Sequence, residues 1–299
     1  MHADAAAPFC TVKGKIMKRK KKVILGIVLS LLFVYLAAGF TVGGNRALEM
    51  SRYEIYSERL PEEFDGLRIV QISDLHNTEM GEGNEKLLEM IRQAQPDIIA
   101  ITGDLIDGYK TDTAVALDFV REAMKTAPCY YVTGNHEAWT EEYDSFREKL
   151  LQEGVRVLDD EQIYIERLGQ RISLIGLSDP AFSGGQNGYG SDMTAERLDG
   201  FEYGDFTLLL AHRPELFEVY AERDIDLVLS GHTHAGQFRF PFIGGIFAPD
   251  QGLFPKYCEG LHTRDNTDMI ISRGIGNSII PLRFYNRPEA VLIELRCES

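Results

Sequence analysis

Five short apolar runs in this chain each stop at a cluster of metal-ligand residues, and this repetition restricts the fold more than any other feature. Leu67–Ile72 runs into Asp74-Leu75-His76, and Asp97–Thr102 into Gly103-Asp104-Leu105-Ile106-Asp107. Tyr130–Thr133 runs into Gly134-Asn135-His136-Glu137, Phe206–Leu210 into Ala211-His212, and Ile225–Ser230 into Gly231-His232-Thr233-His234. In an open α/β sheet the carboxyl ends of the strands face one crevice, so five such ends can pool their side chains. Five of the seven histidines lie in these clusters. A pool of Asp, His and Asn without cysteine suits two hard or borderline divalent cations and argues against a structural zinc knot.

Singly, the clusters are weak. Asp-x-His arises by chance, Asp74 would serve equally to cap a turn, and a lone His212 is more often a hydrogen-bonded structural histidine than a ligand. His232-x-His234 is stronger, because alternate residues of extended backbone point the same way. The order of the clusters and their shared place after strands carry the inference.

Between the clusters the chain alternates strand and helix. A lead-in strand is expected at Tyr53–Tyr56. Helices are expected over Asn84–Gln93, with Asn84 as cap and Leu87, Leu88, Met90 and Ile91 on one face, over Thr113–Thr126, and over Glu141–Gln152 closed by Gly154. Ile163–Leu168 and Arg171–Leu177 around Gly169-Gln170 read as a hairpin. Glu215–Glu222 reads as a helix, and Met269–Ser272 and Ala290–Leu295 as closing strands. The class is α/β, with two packed sheets and outer helices. Two long Gly-containing connections, Pro180–Gly204 and Ala235–Asp268, break the rhythm. The second carries Phe238, Phe240, Phe242, Phe247, Phe254 and Tyr257, and it is expected to rim the site. Those aromatics suit contact with an apolar substrate or a membrane surface, and equally suit covering a sheet edge.

Charge is unevenly placed. The chain has 31 bases and 46 acids, a net charge of -15. Residues 1–47 hold eight of the bases and one acid, leaving 23 bases and 45 acids for the rest. So acidic a body repels a phosphate backbone, and nucleic acid is not an expected partner. Val23 to Gly44 has no charged residue, and its 22 residues would span roughly 30 Å as a helix, the thickness of a bilayer core. Lys18-Arg19-Lys20-Lys21-Lys22 precedes it, which by the positive-inside rule puts the N-terminus in the cytoplasm and the body outside. An uncleaved signal-anchor is preferred to a cleaved signal peptide because the run exceeds a usual signal core. The expected organisation is a basic tail over 1–22, an anchor over 23–44, a stalk and lead-in strand over 45–66, and a catalytic domain over 67–299. Four cysteines without paired spacing suggest no thiol site.

D-x-H, G-D-x-x-D, G-N-H-[DE], H and G-H-x-H, in this order, make the chain resemble the calcineurin-like metallophosphoesterases over about residues 67–297. Ser272-Arg273-Gly274-Ile275-Gly276-Asn277 and Arg287-Pro288-Glu289 look like its membrane-anchored or exported bacterial branch. Members of that branch are phosphodiesterase-like, and some are related to UDP-2,3-diacylglucosamine hydrolases. The resemblance implies a four-layer α/β/β/α sandwich and two divalent metals (Mn, Fe, Zn, Co or Ni). It implies Asp74, His76 and His234 at the first metal, Asn135, His212 and His232 at the second, and Asp104 bridging both. A metal-bridging hydroxide would attack the phosphate ester. His136 would contact the phosphate or leaving group, Asp107 would orient it, and Glu137 would have a supporting role. Ala235 stands where relatives often have Gly, which puts no ligand in doubt. A lipid-linked pyrophosphate is the alternative substrate, and a metal-bound scaffold without turnover is the alternative outside the enzyme class.

Overall fold

The computed structural model describes residues 20–32, 35, 47–184, 190–240, 244–277 and 283–298. It forms two compact units, Met1–Gly43 and Gly44–Ser299. In the first, residues 20–32 are a helix, α1, and Tyr35 is helical. Among the described residues no helix is long and apolar enough to cross a membrane. The remainder of the expected Val23–Gly44 anchor lies outside the described residues.

The second unit opens with strands β1 (Glu49–Ser57), β2 (Arg68–Ile72), β3 (Ile98–Thr102), β4 (Cys129–Val132) and β5 (Arg156–Val157). Next come β6 (Glu161–Arg167), β7 (Gln170–Gly176), β8 (Thr207–Leu210) and β9 (Leu227–Ser230). Two small ribbons follow, β10 (Arg239–Phe240) with β11 (Gly244–Gly245), and β12 (Phe247–Ala248) with β13 (Gly252–Leu253). The chain ends with β14 (Gly260–Arg264), β15 (Thr267–Ile271) and β16 (Glu289–Cys297). Helices α2 (Glu85–Ala94), α3 (Thr113–Ala123), α4 (Asn135–Ala138), α5 (Tyr143–Gln152), α6 (Gly190–Leu198) and α7 (Phe217–Ala221) lie between them.

The strands form two mixed six-stranded sheets, ordered β1-β16-β2-β3-β4-β5 and β14-β15-β9-β8-β7-β6. In the first, β2, β3, β4 and β5 are parallel and β16 runs against β2. In the second, β7, β8, β9 and β15 are parallel, with β6 and β14 antiparallel at the edges. Strand alternation sorts the core. On β3, Ile98 and Ala100 pack between the sheets with Leu208, Leu210 and Leu229, while Ile99 and Ile101 face α2 and α3 through Leu87, Ile91 and Phe119. Leu209 and Val228 on the far side pack on Phe217 and Tyr220 of α7. Each such large side chain contributes about 1.5–3 kcal/mol on burial.

Below the site, the buried Gln71 of β2 ties the sheets together. Its Nε2 donates to Thr102 Oγ1 at 3.0 Å and to Ser230 O at 2.8 Å. The carboxyl ends of β2 and β3 are thereby held against that of β9.

Three local expectations are revised. Asn84 does not cap α2 with its side chain; its Oδ1 accepts the Met80 N–H at 2.8 Å, and its φ is +62°. The hairpin turn falls on Leu168-Gly169, one residue earlier, with φ of +50° and +90°. Both two-residue-loop positions thus have the left-handed backbone that a type I′ turn requires. The long connections are structured in part. Pro180–Gly204 contains α6, and Ala235–Asp268 contains the small ribbons and edge strand β14, whose short alternating Gly260–Arg264 was hidden among glycines.

Candidate metal centre

The five strand ends converge as expected, and the turns after them are unusually bent. Asp74, His76, Asp104, His232 and His234 all have positive φ, between +46° and +70°. Asp, Asn and His tolerate this region better than most residues, yet a non-glycine there stores of order 1–3 kcal/mol, and such strain concentrates at functional sites. Two glycines let the turns close. A Cβ on Gly231 would sit 1.9 Å from Ser73 Oγ, and one on Gly134 would sit 2.3 Å from Asp104 Oδ1.

Two ligand groups result. Asp74, His76 and His234 form one, with His234 Nε2 3.3 Å from Asp74 Oδ1 and 3.2 Å from His76 Nε2. Asp104, His212 and His232 form the other. Asp104 Oδ2 lies 3.2 Å from His212 Nε2 and 3.6 Å from His76 Nε2, so it stands between the groups. All of these residues are buried, as is Asn135. Asp74 Oδ1 and Asn135 Oδ1 are buried without a hydrogen-bond partner. Orphaned acceptors of this kind carry a desolvation cost that a cation would relieve, so the donor set fits divalent metals.

Supporting contacts orient the ligands. His212 Nδ1 faces Thr102 O at 2.7 Å, so that N–H donates to the carbonyl and Nε2 is turned toward Asp104. Asp74 Oδ2 accepts the Ser73 hydroxyl at 2.6 Å and the His232 N–H at 3.1 Å. Asp104 Oδ1 accepts the His136 N–H at 2.8 Å. Burial opposes charge on both partners, yet the Asp104 carboxylate drives His212 up to about 10, and His212 holds Asp104 well below the ordinary carboxylate range.

His136 packs near the first group, 4.4 Å from the His76 ring and 4.5 Å from the Trp139 ring between centroids. Its Nδ1 accepts the Gly108 N–H at 3.1 Å, and burial lowers its basicity. Asp107 shares a neighbourhood with His76 and His136. Its Oδ1 accepts the Tyr109 and Lys110 N–H groups at 2.8 and 2.9 Å. Glu137 is fully buried and straps two turns together. Its carboxylate accepts the N–H groups of Asp104, Leu105, Ile106 and Gly134 at 2.9, 2.8, 3.2 and 2.7 Å.

Sequence reading missed three residues at the edge of the centre. Arg213, Asp179 and Asp250 form a charged cluster beside His232. Arg213 follows His212 directly, but nothing in the sequence marks its guanidinium as buried. The fully buried Arg283 is a further omission; its Nη2 lies 3.2 Å from His234 Nδ1.

A family model described as calcineurin-like phosphoesterase matches residues 67–236. An uncharacterized Bacillus subtilis metallophosphoesterase, YkuE, is 29% identical over 89% of this chain and 95% of its own. A zebrafish (Danio rerio) transmembrane protein with metallophosphoesterase domain is 31% identical over 81% of this chain, which spans 56% of that protein. The Escherichia coli phosphodiesterase YaeI is 29% identical over 68% of this chain and 72% of its own. Among solved structures, TT1561 of Thermus thermophilus superposes with a TM-score of 0.48 at 14% identity, covering 70% of this chain and 90% of its own.

Proposed function

Since the chain belongs to the calcineurin-like phosphoesterase family and is a metal-dependent phosphoester hydrolase, we propose that it cleaves a phosphomonoester or phosphodiester at two divalent cations. The observation that carries this reading is the position of Asp104 Oδ2, within 3.6 Å of one ligand group and 3.2 Å of the other. Asp74, His76 and His234 would hold the first cation, Asn135, His212 and His232 the second, and Asp104 both. When bound, such a pair supplies an activated water and neutralises charge developing on the phosphate. The side chains supply positioning. His136 is read as facing the substrate and not as a ligand. With Nδ1 taken by the Gly108 N–H, its proton sits on Nε2, from which it donates to a phosphate oxygen or to the leaving group. Asp107 orients it by bracing the loop that carries Gly108.

The proposal includes location. Val23–Gly44 is read as a single-pass anchor with the N-terminus inside and the catalytic unit outside the cytoplasmic membrane. Support comes from its charge-free length, the preceding basic run, and a relative named as a transmembrane protein. A lipid-linked pyrophosphate is the second reading, favoured by exposed Phe247, Leu253 and Phe254 on and beside the β12–β13 ribbon. The deciding assay uses full-length protein in detergent, with Mn and after chelation. Substrates are bis-p-nitrophenyl phosphate, the monoester and a nucleotide–lipid pyrophosphate. Metal-dependent turnover of any one supports the enzyme; no turnover with both sites loaded would leave the scaffold reading.

A further inference from the structure

The ribbon β12–β13 folds back on the last metal cluster, and its turn brings Asp250 to His232. Asp250 Oδ2 lies 3.1 Å from His232 Nε2. The same oxygen accepts from Arg213 Nη1. That guanidinium is fixed from its other side, where Nε and Nη2 donate to the two oxygens of Asp179 at 2.6 and 3.0 Å. Arg213 and Asp179 are buried. The Asp179 N–H donates in turn to Thr133 Oγ1 at 3.0 Å, two residues before Asn135. One line of hydrogen bonds therefore joins the turns that carry Asn135, His212 and His232 to the ribbon.

The chemistry of this line selects a tautomer. An imidazole nitrogen facing a carboxylate oxygen at hydrogen-bond distance carries the proton. Arg213 Nη1 also lies 3.3 Å from Nε2, but a guanidinium has no acceptor to offer, so both donors converge on Asp250. With the proton on Nε2, Nδ1 keeps a free lone pair, as a metal ligand must.

We propose that Asp250, braced by Arg213 and Asp179, is a positioning residue for the second cation, fixing His232 so that its other nitrogen is left for the group it forms with Asp104 and His212. This inference rests on the two-metal reading. Asp250 acts through His232 and not on substrate. The first group has different backing, with His234 Nδ1 near Arg283 Nη2, so a defect at Asp250 falls on one cation.

The test is a calorimetric Mn titration of full-length protein in detergent, with electron paramagnetic resonance reporting the coupled pair. Asp250→Ala should bind one Mn as the unaltered chain does and the other 10–100-fold more weakly, the usual loss for such a supporting partner. The metal-free melting temperature should fall by only about 3–6 °C, the loss of one charge-assisted bond to Arg213 at a half-exposed carboxylate. Asp250→Asn, whose amide oxygen still accepts the Nε2–H, should restore most of the affinity. Unchanged binding of both cations in Asp250→Ala would overturn the proposal. So would equal weakening of both with a larger fall in the metal-free melting point, or no recovery in Asp250→Asn. An unaltered chain that binds no Mn pair would instead remove the two-metal reading beneath it.

Discussion

Replacing Glu137 by Gln separates a structural strap from a catalytic acid. The carboxylate accepts four backbone N–H groups, two at each oxygen: Leu105 and Ile106 at Oε1, Asp104 and Gly134 at Oε2. Its bond to Gly134 also closes the first turn of α4 on its own cap residue. An amide keeps one accepting oxygen and turns two donors toward the other pair of N–H groups. Burial and the nearby Asp104 carboxylate push Glu137 up to about 7, so above that pH two charge-assisted hydrogen bonds are lost, at about 1.5–3 kcal/mol each, or roughly 3–6 kcal/mol together. For a unit of this size that is a fall of roughly 6–24 °C in melting temperature. The Asp104 amide is released as well, so metal should be lost with stability. The assay is thermal unfolding with metal content by mass spectrometry, on metal-loaded and chelated protein. An unchanged melting temperature and two retained cations, with turnover lost, would refute the strap and make Glu137 a participant in the chemistry.

Asp104→Asn and His232→Ala should each abolish hydrolysis and lower bound metal; full activity at unchanged metal content would sink the ligand assignment. His136→Ala should keep both cations and slow turnover by roughly 10²–10⁴-fold. A loss that shrinks for nitrophenol leaving groups marks proton donation to the leaving group, and an equal loss marks phosphate positioning. Because Asp104 holds the His212 proton to about 10, a cation must displace it, so metal affinity should rise with pH below that value, by about tenfold per unit. Affinity flat between pH 6 and 8 would contradict this. In cells stripped of outer layers, external protease should cut the catalytic unit while it stays with the membrane fraction, and protection would reverse the topology.

The site was more legible than the fold around it because each cluster is local. Asp74 and His76, or His232 and His234, are two residues apart, and the apolar runs before them locate the strand ends. What escaped is set by distant partners. Asp179 and Asp250 meet Arg213 across 34 and 37 residues, and no periodicity in the sequence relates them. Strand β14 was missed because it buries no residue fully, its half-buried and exposed positions alternating over only five residues inside a glycine-rich stretch.

The bent turns bear on both what was legible and what was not. A ligand type and a turn type coincide here: Asp and His are among the non-glycine residues that enter the left-handed region most readily, so one choice of residue serves coordination and backbone together. That is why the motif can be read without a structure. The conformations themselves are not favoured locally, and five of them in one crevice persist only where something over-determines them. Glu137 fixes the turn of Asp104, Gln71 fixes the strand ends below, and Ser73 with the His232 amide fixes Asp74. These bonds run between protein groups and hold the cluster's side chains together. On the two-metal reading proposed above, a cation would have little ordering entropy to overcome, and its binding free energy would go into relieving the buried, unpaired oxygens of Asp74 and Asn135.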